Sequence, residues 1–324
     1  MPPFLGENAV LIANPAAAGG KVGRRWGELS AQLSAALGPG LHVYRTEGPR
    51  HAITLARDAV KAGFTTVISL GGDGTHSEVT NGILQAEPPP GAVSLGVLPG
   101  GTGGDLRRVL SHGQSFESAL ARLTTAPSAP IDCGALSWRG DSGQTERGYF
   151  LNVASFGIGG LVDRIVNGSS KNLPGGVVFY TATLRALYRY RPAMVKLRLD
   201  GVELEPVPVT NVLVCNSRFA GGGMMFAPDA KLDDGLFDVV IMRQKSVWHT
   251  VSLSNAMYTG EHLKDQTVSV HRAREIVAET IGPDPAWMDI DGEAPGTLPA
   301  TLRVLPGAIR LIDPQPQVLM NPLR

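Results

Sequence analysis

The β-branched run Thr65-Thr66-Val67-Ile68 leads into Ser69-Leu70-Gly71-Gly72-Asp73-Gly74-Thr75, and no other stretch so constrains what the chain can fold into. A strand that ends in three glycines around one carboxylate and a hydroxyl is suited to bring backbone N–H groups against an anion. Gly lacks a Cβ and can take positive φ, so glycines at 71, 72 and 74 predict a loop whose amides lie against phosphate oxygens. Thr75 then opens a helix through Ser77-Glu78-Val79-Thr80-Asn81-Gly82-Ile83-Leu84, whose N-terminal end also favours negative charge. Asp73 beside a phosphate would repel it unless a cation such as Mg²⁺ lies between them. Two glycines alone would signal only a tight turn after a strand.

The elements around this loop alternate. Ala9-Val10-Leu11-Ile12-Ala13-Asn14-Pro15 predicts a buried strand that breaks into Ala16-Ala17-Ala18-Gly19-Gly20-Lys21. An amphipathic helix is expected from Trp26 to Leu37, a strand from Leu41 to Thr46, a helix from Arg50 to Ala62, and a strand from Val93 to Pro99. Such alternation implies a parallel sheet with helices on both faces and ligands at the carboxyl ends of the strands. After Cys133 the texture changes. The apolar stretches Tyr149 to Val153, Met194 to Leu199, Val212 to Cys215, Phe237 to Met242 and Leu302 to Leu305 are separated by Gly, Pro and Asp clusters. Helical signal is confined to Val177 to Tyr190 and Val247 to Thr259. The expected fold class is an α/β N-terminal domain with a parallel sheet, over residues 1–133, followed by a β-rich sandwich over 134–310. A tail at 311–324 is expected to pack back on the first domain.

At 324 residues two domains are the reasonable expectation. Hydrophobic content of 43% and charged content of 18% are globular, and a formal net charge of zero gives no general pull toward nucleic acid or anionic membrane. Cys133 and Cys215 are too few and too far apart for a zinc or disulfide framework. The start lacks the basic region of a signal peptide, and no apolar run reaches the ~20 residues of a spanning helix, so a cytoplasmic protein is expected.

Three further segments carry chemistry. Leu98-Pro99-Gly100-Gly101-Thr102-Gly103-Gly104-Asp105-Leu106 again follows a strand and opens a helix, so two phosphate-cradling loops converge on one edge of the sheet. Asp233-Asp234-Gly235 between apolar strands is a hairpin signal. In Trp287-Met288-Asp289-Ile290-Asp291-Gly292-Glu293, alternation along a strand would point Asp289, Asp291 and Glu293 to one face. Three carboxylates together repel unless a metal or a shared proton intervenes, a setting suited to a general base.

Gly-Gly-Asp-Gly-Thr at this location resembles the nucleotide loop of the superfamily that joins NAD kinases, 6-phosphofructokinases and the diacylglycerol, sphingosine and ceramide lipid kinases. It is neither a Walker P-loop nor a Gly-x-Gly-x-x-Gly fingerprint. The Asp-Asp-Gly and Asp-Gly-Glu segments are similar to those of the bacterial diacylglycerol kinase-like lipid kinases, and the resemblance runs from Asn14 to Glu293. It implies an NAD kinase/phosphofructokinase-like first domain. It also implies ATP bound by Asn14, Thr46, Gly71, Gly72, Asp73, Gly74, Thr75, Glu78, Thr102 and Asp105, with Lys21 a further phosphate partner. A structural Mg²⁺ would be held by the Asp234 carboxylate and the main-chain oxygens of Lys231 and Leu236. The catalytic set would be Glu293 as proton acceptor, aided by Asp291, with Asp73 placing catalytic Mg²⁺. The chain departs from the family's pattern at Gly104, where Asn is expected, and in the 16–20 loop, which lacks a hydroxyl residue.

Phosphoryl transfer from ATP to a lipid hydroxyl is the implied activity, with a diacylglycerol or a sphingoid-type acceptor at a membrane surface and no nucleic acid partner. Asn152 to Gly160, Gly221 to Phe226, and Arg185, Tyr188, Arg189, Tyr190 and Arg191 are candidate lipid-facing elements. NAD kinase and a nonenzymatic nucleotide- or lipid-binding protein on the same fold are the alternatives. A homodimer and peripheral membrane attachment are left open.

Overall fold

The structure, a computed structural model, describes residues 8–100, 104–111, 115–167 and 190–320. The chain forms two compact units: 1–133 with 231–235 and 305–324, and 134–230 with 236–304.

The first unit contains β1 (Ala9–Ala13), α1 (Ala17–Arg24), α2 (Trp26–Leu37), β2 (His42–Arg45), α3 (His51–Lys61), β3 (Thr66–Gly71), α4 (Asp73–Gln85), β4 (Ser94–Pro99) and α5 (Phe116–Thr125). β1 lies between β2 and β3, and β4 flanks β3. The end of a long strand, Gly296–Ile312, joins β4 through Arg310 and Leu311. All four pairings are parallel. Every residue of β1 is buried, as a strand covered on both faces requires. α2 presents Leu29, Leu33 and Leu37 at four-residue spacing to a core shared with Leu70, Leu98 and Phe116. Close packing of α3 on α4 demands Gly82, since a Cβ there would sit 2.3 Å from the Ile53 carbonyl oxygen.

The second unit is antiparallel. Its strands are β5 (Ser128–Gly140, of which 128–133 belong to the first unit), β6 (Thr145–Phe150), β7 (Val153–Gly157), β8 (Ala193–Leu199), β9 (Val202–Glu203), β10 (Val207–Cys215), β11 (Phe219–Ala220), β12 (Met224–Met225), β13 (Phe237–Arg243), β14 (Val268–Ala273), β15 (Glu275–Ile281), β16 (Trp287–Ile290) and β17, the strand Gly296–Ile312. One sheet runs β14-β13-β10-β7-β16 and a second runs β17-β15-β8-β10. β10 serves both, pairing with β8 through 207–209 and with β7 through 211–215. This is a β-sandwich whose core includes Phe150, Phe156 and Phe237, all fully buried. Cys133 and Cys215 are buried and are not joined in a disulfide.

Several sequence expectations are corrected. The first unit also takes residues 231–235 and 305–310, which had been grouped with the sandwich. The reason is Asp132, 2% exposed, whose carboxylate accepts the backbone N–H groups of Gly235 (2.7 Å) and Gly307 (2.8 Å). The backbone N–H groups of Asp132 and Leu232 continue the tie by donating to the carbonyls of Leu232 and Val318. The stretch Tyr149 to Val153 is two strands, broken at Leu151 and Asn152. A helix α6 (Ile158–Asn167) stands where no helix is expected, because glycines at 157, 159 and 160 weaken the helical signal. Its glycines serve packing: a Cβ on Gly160 would sit 2.5 Å from the carbonyl oxygens of Trp287 and Met288 on β16. The helix expected at Val177 to Tyr190 lies outside the described residues except for Tyr190, which is not helical. The helical stretch Val247 to Thr259 is two short helices, Val247–Leu253 and Ala256–Thr259.

Candidate functional site

In the first unit, β1 delivers Asn14 to the start of α4. The Asn14 side-chain amide donates to Thr75 Oγ1 at 3.0 Å, while its oxygen accepts the Ala16 N–H at 3.0 Å. The chain then turns through Ala18, Gly19 and Gly20, all left-handed. Thr46, half-buried, is fixed by its N–H on the Ala13 carbonyl at 2.9 Å. Asn14, Thr75 and Thr46 therefore border the carboxyl ends of β1, β2 and β3.

The glycine loop works differently from expectation. None of Gly71, Gly72 and Gly74 has positive φ. A Cβ on Gly71 would sit 2.4 Å from Thr75 Oγ1, so glycine is needed there for space. A Cβ on Gly72 or Gly74 would meet nothing within 4 Å. The bare backbone at those two positions lies open to a close-approaching ligand. α4 begins there with Gly72 as its N-cap and Asp73 in its first turn, and the first-turn N–H groups have no intrahelical partner.

Asp73 ties this loop to the second one. Its Oδ2 accepts the Asp105 N–H at 3.1 Å and its Oδ1 the Leu106 N–H at 3.3 Å. Gly100 N–H donates to the Gly71 carbonyl at 2.7 Å, so the turns after β3 and β4 are bonded at two levels. Gly104, where the family pattern has Asn, sits at φ +146°, and a Cβ there would press on Arg107 at 3.0 Å. The glycine is thus imposed by the backbone. The Asp105 carboxylate lies 3.6 Å from Arg108 Nε. Thr102 falls outside the described residues.

Two polar side chains of α4 are tied to neighbouring elements. His76 Nδ1 shares a 2.7 Å hydrogen bond with Ser69 Oγ, and burial, aided by nearby Arg107, pushes its pKa down to about 3. Glu78 accepts the backbone N–H groups of Arg50 (2.9 Å) and Ala52 (3.2 Å). It therefore caps α3 behind a left-handed Arg50, a role the sequence did not suggest for a residue grouped with the nucleotide contacts.

For the segment expected to hold Mg²⁺, the donors are oxygens, the chemistry that ion prefers. Burial raises the pKa of Asp132 against its two N–H bonds, and the charges of Asp234 and Asp233 raise it further. A cation would relieve that crowding, so the residues fit the ion. Lys231 Nζ is turned to the Gln317 carbonyl at 2.7 Å, which leaves only its main-chain oxygen for such a role. Among the described residues no group of three or more His, Cys, Asp or Glu side chains is placed to hold a metal ion. Asp132 itself was not foreseen, since it stands alone in sequence.

In the second unit the acidic segment is not a continuous strand. β16 ends at Ile290, Asp291 (φ 49°) and Gly292 (φ 92°) turn back, and Ile290 and Glu293 exchange backbone hydrogen bonds at 2.8 and 3.0 Å. This is the two-residue hairpin that Asp-Gly favours. The three carboxylates do not share one strand face. Asp291 accepts the N–H groups of Leu151 (2.9 Å), Asn152 (3.0 Å) and Val153 (3.1 Å). Asp289 accepts from Ser155 Oγ (3.2 Å) and Gly292 N–H (2.8 Å). Glu293 is exposed.

The candidate lipid-facing elements also change. Phe226 is buried and makes an edge contact with His262 at 5.9 Å, so it belongs to the core. Gly157 to Gly160 serve strand and helix packing. Tyr190 donates its hydroxyl to the Val209 carbonyl at 2.8 Å and Arg191 is exposed, while Arg185, Tyr188 and Arg189 lie outside the described residues.

Comparison with known proteins accords with this architecture. The family model for the diacylglycerol kinase catalytic domain matches residues 8–136. The model for the YegS C-terminal NAD kinase beta sandwich-like domain matches residues 152–313, half of the chain. A diacylglycerol kinase of Bacillus subtilis (strain 168) is 29% identical over 277 residues, covering 83% of this chain and 86% of that protein. A protein named as a YegS-like lipid kinase in Chromohalobacter salexigens is 30% identical over 283 residues, covering 83% and 82%. The structure of a candidate diacylglycerol kinase from Bacillus anthracis str. Sterne matches with a TM-score of 0.74 at 25% identity, over 97% of this chain and 99% of that one. Yeast NADH kinase shares the fold alone, with a TM-score of 0.53 at 10% identity over 96% and 84% of the two chains. With both halves matched and the nucleotide-type loops in place, the chain belongs to the diacylglycerol kinase and YegS-like lipid kinase family and is a lipid kinase.

Proposed function

We propose that the protein transfers the γ-phosphoryl group of ATP to the hydroxyl of diacylglycerol, or of a sphingoid-type lipid alcohol, met at a membrane surface. The observation that carries this reading is the start of α4, where open backbone at Gly72 and Gly74 adjoins Asn14 and Thr75, hydrogen-bonded to each other. An anion fits there without displacing a side chain. The names of the relatives favour diacylglycerol among lipid alcohols.

In this mechanism Asn14, Thr46, Thr75 and the first-turn amides of α4 hold the triphosphate, with Thr102 and Asp105 contributing from the second loop. Asp73 and Asp105 would hold catalytic Mg²⁺, which when bound neutralises charge on the phosphates. Lys231, Asp234 and Leu236 would hold the structural ion. The lipid oxygen bonds to the γ-phosphorus as the bond from that phosphorus to the β–γ bridging oxygen breaks, ADP departs, and the hydroxyl proton passes to Glu293. Asp291 acts through the turn that it fixes, positioning Glu293.

The test is transfer of labelled γ-phosphate from ATP and Mg²⁺ to diacylglycerol, sphingosine and ceramide in mixed micelles, with NAD as a parallel acceptor. Labelled phosphatidic acid, or a labelled phosphate of sphingosine or ceramide, supports the proposal. Labelled NADP, or no lipid product despite ATP binding, overturns it.

A further inference from the structure

The segment Ser246 to Gly260 contains no Asp, Glu, Lys or Arg, although much of it is on the surface. Trp248 is 82% exposed, Tyr258 51% and Val251 40%. Ser254 (φ −59°, ψ −39°) and Asn255 (φ −70°, ψ −36°) are right-handed helical, so the backbone winds one way from Val247–Leu253 into Ala256–Thr259. At 100° per residue, Trp248, Val251 and Tyr258 fall within an arc of about 80°. The other exposed residues, Ser246, Ser252, Ser254, Asn255 and Thr259, are all uncharged.

The opposite face is anchored. Met257 is buried and Leu253 packs on the same cluster, with Phe226 and Met242. His249 Nε2 lies 3.1 Å from Asp265 Oδ1 and 3.3 Å from Thr267 Oγ1. The Asp265 carboxyl is held low, at about 2, chiefly by hydrogen bonds from Thr267. The outward aromatic face is therefore presented on a fixed base. At its N-terminal side stand Arg243 and Lys245, both exposed.

We infer that this face is a membrane-docking surface that inserts Trp248, Val251 and Tyr258 into the interface of an anionic bilayer, with Arg243 and Lys245 against the headgroups. The inference rests on the lipid-kinase reading above and names where such an enzyme meets its substrate's membrane. Trp and Tyr suit the headgroup level because each ring joins an apolar body to a polar edge. An uncharged face avoids the cost of burying an ionised side chain, and flanking cations add attraction to anionic lipid. A second copy of the chain is a poorer occupant. The three side chains offer on the order of 400 Å² of exposed surface, about half of the ~800 Å² per partner of a stable interface.

The test uses the full-length protein with vesicles of phosphatidylcholine and phosphatidylglycerol, read by co-sedimentation and by tryptophan quenching with brominated lipid. The double variant Trp248→Ser/Tyr258→Ser is expected to lower vesicle binding by about tenfold or more, with thermal unfolding unchanged. Val251→Glu is expected to weaken binding, and Val251→Lys to preserve it on anionic vesicles. Phosphorylation of dissolved dihexanoylglycerol is expected to stay within about twofold in all variants. Unchanged vesicle binding in the double variant, or a loss that tracks conversion of a dimer to monomer on sizing, overturns the inference. Failure to phosphorylate dihexanoylglycerol with vesicle binding intact would instead count against the kinase acceptor and leave the docking surface standing.

Discussion

Asp73 receives the backbone N–H of Asp105 on one carboxylate oxygen while standing in the first turn of the helix that follows the glycine loop. One side chain thus both faces the proposed phosphate site and fixes the turn after the next strand. Asp73→Asn replaces an ionised acceptor of two N–H groups by a neutral amide. It is expected to cost about 1–2 kcal/mol of stability and to lower turnover at least about a hundredfold. Urea unfolding and labelled-phosphate turnover check the two effects separately.

Asp291 and Glu293 are expected to separate in the opposite way. Asp291→Ala leaves the N–H groups of Leu151, Asn152 and Val153 without their acceptor, so the unfolding temperature drops along with kcat. Glu293→Gln, at an exposed side chain, leaves the unfolding temperature unchanged and removes about two or more orders of magnitude of kcat. Calorimetry beside steady-state kinetics distinguishes them.

Glu78→Ala is expected to destabilise by about 1–2 kcal/mol by uncapping α3 at Arg50 and Ala52, with little change in the KM for ATP in the protein that remains folded. Asn14→Ala is expected to do the reverse, raising the KM for ATP several-fold through Thr75. Denaturation curves and ATP titrations of the two variants check the crossover.

Stability is expected to fall with acid in a way that His76 governs. Burial holds its imidazole neutral down to about pH 3, whereas in the unfolded chain it protonates near 6.5. Between those values the unfolded state binds a proton that the folded state refuses. Stability is therefore lost as pH falls through 6.5, by up to about 1.4 kcal/mol per pH unit from this group. His262, also pushed down by burial, acts in the same direction. His76→Gln should flatten the profile, measured as urea midpoints between pH 7 and pH 4.

The strand and helix alternation before Cys133 was legible because buried parallel strands and one-faced helices write their period into the sequence. The helix with Leu29, Leu33 and Leu37 runs over the residues expected. The acidic hairpin was misread as alternation although Asp291-Gly292 carries its own turn signal, because three carboxylates at even spacing imitate one face of a strand. The use of Gly159 and Gly160 inside a helix was hidden, since local propensity argues against it and only close contact with Ser155 and Asn211 (Gly159) and with β16 (Gly160) explains it. Asp132 and the capping role of Glu78 could not be read at all. Each depends on backbone amides more than twenty residues away, and a chain read in order gives no sign of them.

The carboxylate of Asp132 binds amides that lie 103 and 175 residues further along the chain. During synthesis the nucleotide half accordingly has to wait. When its first 133 residues have left the ribosome it still lacks the strand beside β4 and both amides that hydrogen-bond its buried acid. The sandwich must be made before those last residues arrive. A chain that stops just short of residue 305 therefore contains every residue of the sandwich but lacks part of the first unit.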